Sequence, residues 1–74
     1  MAISRKQALN RLEGLRSVVE EHLAKIADQP ESQAVGHWQG EINAWIGEME
    51  RLIPHVGKKT GAEWSALVAK WKAQ

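Results

Sequence analysis

The sequence predicts an all-α fold, a small three-helix up-down-up bundle that forms a single domain over residues 1–74. Apolar residues recur in steps of three and four along three segments, which is the spacing of one helix face. No segment alternates apolar and polar residues over a useful length, and the chain contains no Tyr and no Phe. Proline and glycine separate the segments, and amphipathic helices joined by short loops pack most simply as an up-down-up bundle.

The first helix is predicted over about residues 4–28. Ser4 is a favourable N-cap, and Gln7 three residues later completes a capping-box pattern. Pro30 disfavours helix in the residue before it and so ends the segment. The apolar face of this helix consists of Ala8, Leu12, Leu15, Val19, Leu23 and Ile26.

The second helix is predicted over about residues 32–53, and Pro54 ends it. Its apolar residues step alternately by three and four, which is a heptad seam. The sequence leaves open whether this helix begins at Ser32 or only at Glu41, because two glycines lie between them. The seam consists of Val35, Trp38, Ile42, Trp45, Met49 and Leu52.

The third helix is predicted over about residues 61–73. Thr60, with Glu63 three residues later, forms a capping-box pattern directly before the apolar run. The apolar face consists of Trp64, Leu67, Val68 and Trp71. The two tryptophan pairs therefore lie on apolar seams, and we expect most of them to form a shared core.

Composition excludes several classes of protein. The chain has no Cys, which excludes disulfides and thiolate metal sites. No apolar run approaches the roughly 20 residues of a membrane span, and the N-terminus has no signal-peptide pattern, so we expect a cytoplasmic protein without membrane contact. Basic and acidic side chains nearly cancel overall. Net charge is nevertheless +3 over residues 1–16, −6 over residues 17–50 and +4 over residues 51–74.

One side of the second helix carries small residues. On a helical wheel they lie within about 60° of each other and nearly opposite the apolar seam. Small residues let another backbone approach closely, so this side is a candidate docking face for another protein or a second copy of the chain. Alternatively, the first glycines lie in a loop, or the chain's own N-terminus crosses there. We call this side the glycine face; it consists of Gly36, Gly40, Asn43 and Gly47. Trp38 is a further candidate contact, at the rim of the bundle.

Basic residues are expected to gather at one end of the bundle. An up-down-up arrangement places the start of the first helix beside the loop between the second and third helices. Phosphates or an acidic protein surface are candidate ligands, and an ordinary solvated end is the alternative. The segment is not a phosphate-binding P-loop, because Leu52 stands where that motif needs glycine. We call this region the basic end; it consists of Arg5, Lys6, Arg51, Lys58 and Lys59.

Signals for catalysis and metal binding are weak. His37 and Glu41 are four residues apart on one helix, and His22 is a third candidate ligand for a metal site. A surface histidine near a helix end is the commoner situation, and no serine lies in a nucleophile motif. We therefore predict no catalytic residues, no metal, no cofactor and no small-molecule substrate.

The central segment, residues 22–42, contains a recognisable set of residues: His22, Leu23, Lys25, Gln29, Pro30, Glu31, Trp38 and Ile42. This set resembles a bacterial family known as domain of unknown function twenty-nine. The segment has one extra residue before the tryptophan, and Ile26 stands where the family has an aromatic residue. The resemblance implies a bacterial helical protein with no assigned activity.

These observations predict a non-enzymatic protein-interaction module that binds another protein through the second helix and an adjoining charged surface. By size and analogy it is expected to be a bacterial or phage-encoded regulator or inhibitor. The alternative is a small nucleic-acid-associated protein that uses the basic end.

Overall fold

The computed structural model describes residues 3–73, and this part of the chain is an all-α three-helix bundle, as predicted. Helix α1 spans Arg5–Asp28, α2 spans Val35–Leu52 and α3 spans Lys58–Lys72. A single 3₁₀ turn, Ile53–His55, joins α2 to the loop before α3. No helix among these residues is both long and apolar enough to cross a membrane.

The N-terminus of α1 is capped as the sequence predicts. The Gln7 backbone N–H donates to the Ser4 hydroxyl oxygen at 3.1 Å, and the Ser4 N–H donates to the Gln7 side-chain oxygen at 3.1 Å. Two backbone donors that have no partner within the helix are thus satisfied.

Helix α2 begins at Val35, three residues later than the predicted start at 32 and well before the alternative at Glu41. Ser32 starts a turn instead, because its hydroxyl oxygen accepts a hydrogen bond from the Ala34 N–H at 3.1 Å. Serine side chains often satisfy neighbouring backbone groups in this way and so delay a helix. All three glycines of the glycine face therefore lie inside α2.

Helix α3 begins at Lys58, so its predicted start at 61 with Thr60 as N-cap is wrong. Gly57 is the N-cap residue, with a φ of 90°, a backbone conformation that favours glycine. The Gly61 N–H already donates to the Gly57 carbonyl oxygen at 2.8 Å, which closes the first helical turn. Thr60 consequently lies within that turn.

Helices α1 and α2 form an antiparallel hairpin. Arg11 forms an ion pair with Glu48 near one end of the hairpin. The Lys25 ammonium lies 5.9 Å from the centre of the Trp38 ring near the other end. A residue later in α1 thus pairs with a residue earlier in α2, so the two helices run in opposite directions.

Helix α3 covers only the half of the hairpin that holds the start of α1. It has 15 residues against 24 in α1, or about 22 Å against 36 Å at 1.5 Å per residue. Its Gly61 packs on Ile53, and the Lys72 ammonium donates a hydrogen bond to Glu50 Oε2 at 2.6 Å. No side chain from residue 20 to residue 41 is fully buried. The core is therefore concentrated in one half; it consists of Ala8, Leu12, Val19, Ile42, Ile46, Met49, Leu52, Val56, Trp64, Val68 and Trp71.

Candidate functional site

The glycine face is an open strip on the outer side of α2. A Cβ atom built on Gly36, Gly40 or Gly47 meets no atom within 4 Å beyond the helix's own backbone and the adjacent residues. Gly36, Gly40 and Asn43 are exposed and Gly47 is half-buried. The strip runs from Gly36 to Gly47, which is 12 residues and about 16 Å along the helix axis. Three of its four residues are glycine, and the Asn43 side-chain oxygen accepts a hydrogen bond from the Gln39 side-chain amide at 3.3 Å.

This geometry bears on the two alternative explanations of the glycines, a loop and a crossing by the N-terminus of the chain. It excludes the first, and it excludes the second for the described residues. The glycines are not loop residues, because α2 already begins at Val35. The chain's N-terminus does not cross them from Ile3 onward, since nothing in the described chain lies within 4 Å of the added Cβ atoms. Met1 and Ala2 lie outside the described residues. Packing within residues 3–73 therefore gives no reason for these glycines.

Trp38 lies on the side of α2 away from the glycine face. The wheel separates it from Gly40 by about 160°, and its ring lies under the Lys25 ammonium of α1. Trp38 is half-buried, as is Trp45, whereas Trp64 and Trp71 are buried in the core. The structure thus places Trp38 at the seam between α1 and α2 and separates it from the glycines.

The basic end is assembled from the starts of two helices. Arg5 begins α1, and its guanidinium lies over Gly57 so closely that a Cβ there would be 3.0 Å from Arg5 Nη2. Lys58 follows Gly57 directly and begins α3. Lys6 and Lys59 follow in the first turns, and all four basic side chains are exposed. The predicted proximity of the first helix to this loop is therefore seen in the contact of Arg5 with Gly57.

The basic end has no acidic partner among the described residues. No carboxylate of residues 3–73 lies within 4.0 Å of the charged nitrogens of its five members, which include Arg51 in the last turn of α2. The basic residues that form ion pairs with carboxylates in the described chain lie elsewhere: Arg11, Arg16, Lys25 and Lys72. Within residues 3–73, the positive charge at this end is therefore not balanced by any ion pair.

The three residues considered as metal ligands come together. His37 Nε2 lies 3.0 Å and His22 Nε2 3.5 Å from the same oxygen, Glu41 Oε1. His22 Nδ1 lies 2.9 Å from the Val18 carbonyl oxygen, and the imidazole packs edge-on against Trp45 at a centroid distance of 4.7 Å. Within residues 3–73, however, no group of three or more His, Asp or Glu is arranged to hold a metal ion. The cluster ties α1 to α2.

Sequence reasoning missed an open groove between α1 and α3. Its volume is about 270 Å³, and Leu9, Trp64 and Leu67 supply its apolar surface. Glu13 and Glu63 also line it. The groove depends on how α3 lies across the hairpin, which no local pattern in the sequence encodes. The only available signal was the intermediate position of Leu9, beside the predicted apolar face of α1.

Comparison with family models, with curated proteins and with solved structures finds no match to this chain. The resemblance of residues 22–42 to domain of unknown function twenty-nine therefore stays a prediction.

Proposed function

We propose that this chain is a non-enzymatic protein-interaction module that binds a helix of another protein on the glycine face. The observation that carries the proposal is the open space around Gly36, Gly40 and Gly47 inside a regular helix. A glycine in a helix interior is destabilising by about 0.5–1 kcal/mol relative to alanine. Gly40 and Gly47 lie in the interior of α2 and together cost about 1–2 kcal/mol. That cost is large for a domain of this size.

The fold of the described residues does not require that cost. Alanine at each of these positions would fit without displacing any neighbour. A residue choice that weakens a helix without a packing reason is expected where a surface serves a contact. Small residues on one helix face let a second helix approach with close backbone contact. The strip of about 16 Å accommodates about three turns of a crossing helix.

The charge of α2 indicates which partner fits. Helix α2 carries Glu41, Glu48 and Glu50 against Arg51, a net charge of −2, although Glu48 and Glu50 already pair with Arg11 and Lys72 of the neighbouring helices. Two copies of the chain would bring two helices of net negative charge together, which is unfavourable. A partner helix with basic residues beside small ones would complement both the shape and the charge. We therefore favour a basic helix of a different protein over a second copy, and we retain a bacterial or phage-encoded regulator or inhibitor as the proposed role.

The test is capture of partners from a nuclease-treated lysate of the cells that encode the chain, followed by mass spectrometry. Three tagged chains are compared: the natural chain, the double variant Gly40→Leu with Gly47→Leu, and the single variant Gly14→Leu. Gly14 is the matched control because it is also an exposed helical glycine with no atom within 4 Å of an added Cβ. It lies on α1, away from the proposed contact.

We expect one protein to be retained by the natural chain and by Gly14→Leu and to be lost with the double variant. Retention of the same proteins by all three chains would contradict the proposal. Sedimentation of the purified chains tests the second copy as the occupant. If the natural chain is a dimer and the double variant is a monomer, the occupant of the glycine face is a second copy of the chain and not a different protein.

A further inference from the structure

The basic end differs from an ordinary solvated surface in where its charges lie. Arg5 and Lys6 occupy the first turn of α1, and Lys58 and Lys59 occupy the first turn of α3. Neither first turn contains an acidic residue. The contact of Arg5 with Gly57 brings the two turns side by side. Four cations therefore share one end with the N-termini of two helices.

This arrangement is electrostatically unfavourable in the free protein. The N-terminus of a helix carries roughly half an elementary positive charge, which favours acidic residues in the first turn and opposes basic ones. Mutual repulsion of the four side chains adds to that effect. No carboxylate of the described chain lies within ion-pair distance of any of them. Binding of an anion would relieve both effects.

The surroundings of the basic end indicate the class of anion. A protein interface is usually centred on buried aromatic or aliphatic side chains. Clustered Lys and Arg are attracted to an anionic membrane surface by charge, and stable attachment also uses apolar groups that insert. The exposed side chains of both first turns are polar: Arg5, Lys6, Gln7, Lys58 and Lys59. The tryptophans are not placed to stack on unpaired bases at this end. Trp64 and Trp71 are buried, Trp45 packs against the core and His22, and Trp38 lies under Lys25 in the far half of the hairpin.

We propose that the basic end binds the phosphate backbone of double-stranded nucleic acid without reading its bases. Such binding needs only cationic side chains and backbone N–H groups at helix N-termini, both of which this end presents. The four cations lie in the first turns of α1 and α3, whereas the glycine face lies on α2. The inference therefore goes beyond the proposed protein contact and does not depend on it.

The test measures binding of a fluorescein-labelled, mixed-sequence DNA duplex of about 20 base pairs by fluorescence anisotropy, in a series of salt concentrations. The chains compared are the natural one, the double variant Lys58→Gln with Lys59→Gln, and Lys70→Gln. Lys70 is the matched control, since it is exposed, lies on the same helix and has no acidic partner within 4.0 Å in the described chain. Circular dichroism verifies that all three chains are equally helical.

With four phosphates contacted, we expect affinity to fall about 150-fold between about 50 and 200 mM salt, a log–log slope of about −3.6. The double variant should halve that slope to about −1.8, and Lys70→Gln should leave it unchanged. Absence of binding at the lowest salt, or equal loss with Lys70→Gln, would overturn the proposal. Poly-glutamate or anionic vesicles that displace the duplex at equal charge concentration would also overturn it, in favour of an acidic protein or a lipid surface.

Discussion

Gly57 and Gly47 are the same residue type with opposite requirements in this fold. Gly57 adopts a φ of 90°, and a Cβ there would press on the Arg5 guanidinium at 3.0 Å. Gly47 is helical, and its Cβ would meet nothing within 4 Å. The value of each glycine to stability is thus decided by its backbone conformation and its neighbours. At Gly57 glycine relieves strain, and at Gly47 it only weakens the helix.

We predict that Gly57→Ala lowers the free energy of unfolding by about 1–3 kcal/mol, because a φ of 90° with a ψ of 162° is a backbone conformation that essentially only glycine adopts. Gly47→Ala should raise it by about 0.5–1 kcal/mol, because alanine restricts the unfolded chain and favours helix. Equilibrium urea unfolding measures both. A loss of stability in Gly47→Ala would show that this glycine serves packing and would weaken the proposed contact.

At the scale of residues, the sequence was enough to group the glycines on one side of α2. Helical spacing alone places Gly36, Gly40 and Gly47 together. The sequence did not predict the positive φ of Gly57, because a glycine between two helical segments indicates a turn without specifying its dihedral angles. The contact of Arg5 with Gly57 could likewise not be predicted, since it depends on the rotamer of a long side chain.

At the scale of elements, the two capping-box patterns of the sequence have different outcomes. Ser4 and Gln7 form both hydrogen bonds at the start of α1. Thr60 and Glu63 lie inside α3 and cap nothing, because Gly57 is the N-cap. Gly61 is buried, and a Cβ atom built on it would lie only 3.3 Å from the Ile53 carbonyl oxygen. Such close packing fixes the path of the chain before Thr60, and a local sequence pattern cannot report it.

The difference predicts unequal effects of two alanine substitutions. Ser4→Ala should lower the free energy of unfolding by about 1 kcal/mol, which is typical for loss of an N-cap. Thr60→Ala should change it by less than about 0.5 kcal/mol, because no capping bond is lost and alanine favours the helix interior. Thermal and urea unfolding followed by circular dichroism measures both. Equal losses would mean that Thr60 caps α3 after all.

At the scale of the whole molecule, the core is unevenly distributed along an axis of 41 Å. The described chain has no fully buried side chain between Glu20 and Glu41, whereas the half that α3 covers holds most of the core. The sequence predicted three helices in the right order but not this asymmetry. It follows from the shortness of α3 and from its packing near Ile53 and Glu50. The ion pairs between helices were equally beyond local patterns.

We predict that backbone amides of the uncovered half of the hairpin exchange with solvent faster than those of the covered half. Segments with few buried apolar contacts open locally at lower free energy than the core. Hydrogen exchange of the native protein should show weaker protection around Lys25 and Trp38 than around Leu12 and Met49. Uniform protection along α1 and α2 would show instead that the hairpin opens only with global unfolding.

The most direct test of the proposed contact measures stability and partner binding on the same variant, Gly40→Leu with Gly47→Leu. We predict that its free energy of unfolding rises by about 1–1.5 kcal/mol, since leucine is a far better helix former than glycine. Binding of the partner captured by the natural chain should be lost at the same time. A more stable chain that no longer binds would assign the glycines to contact with another protein. A variant that binds its partner with unchanged affinity would contradict that assignment.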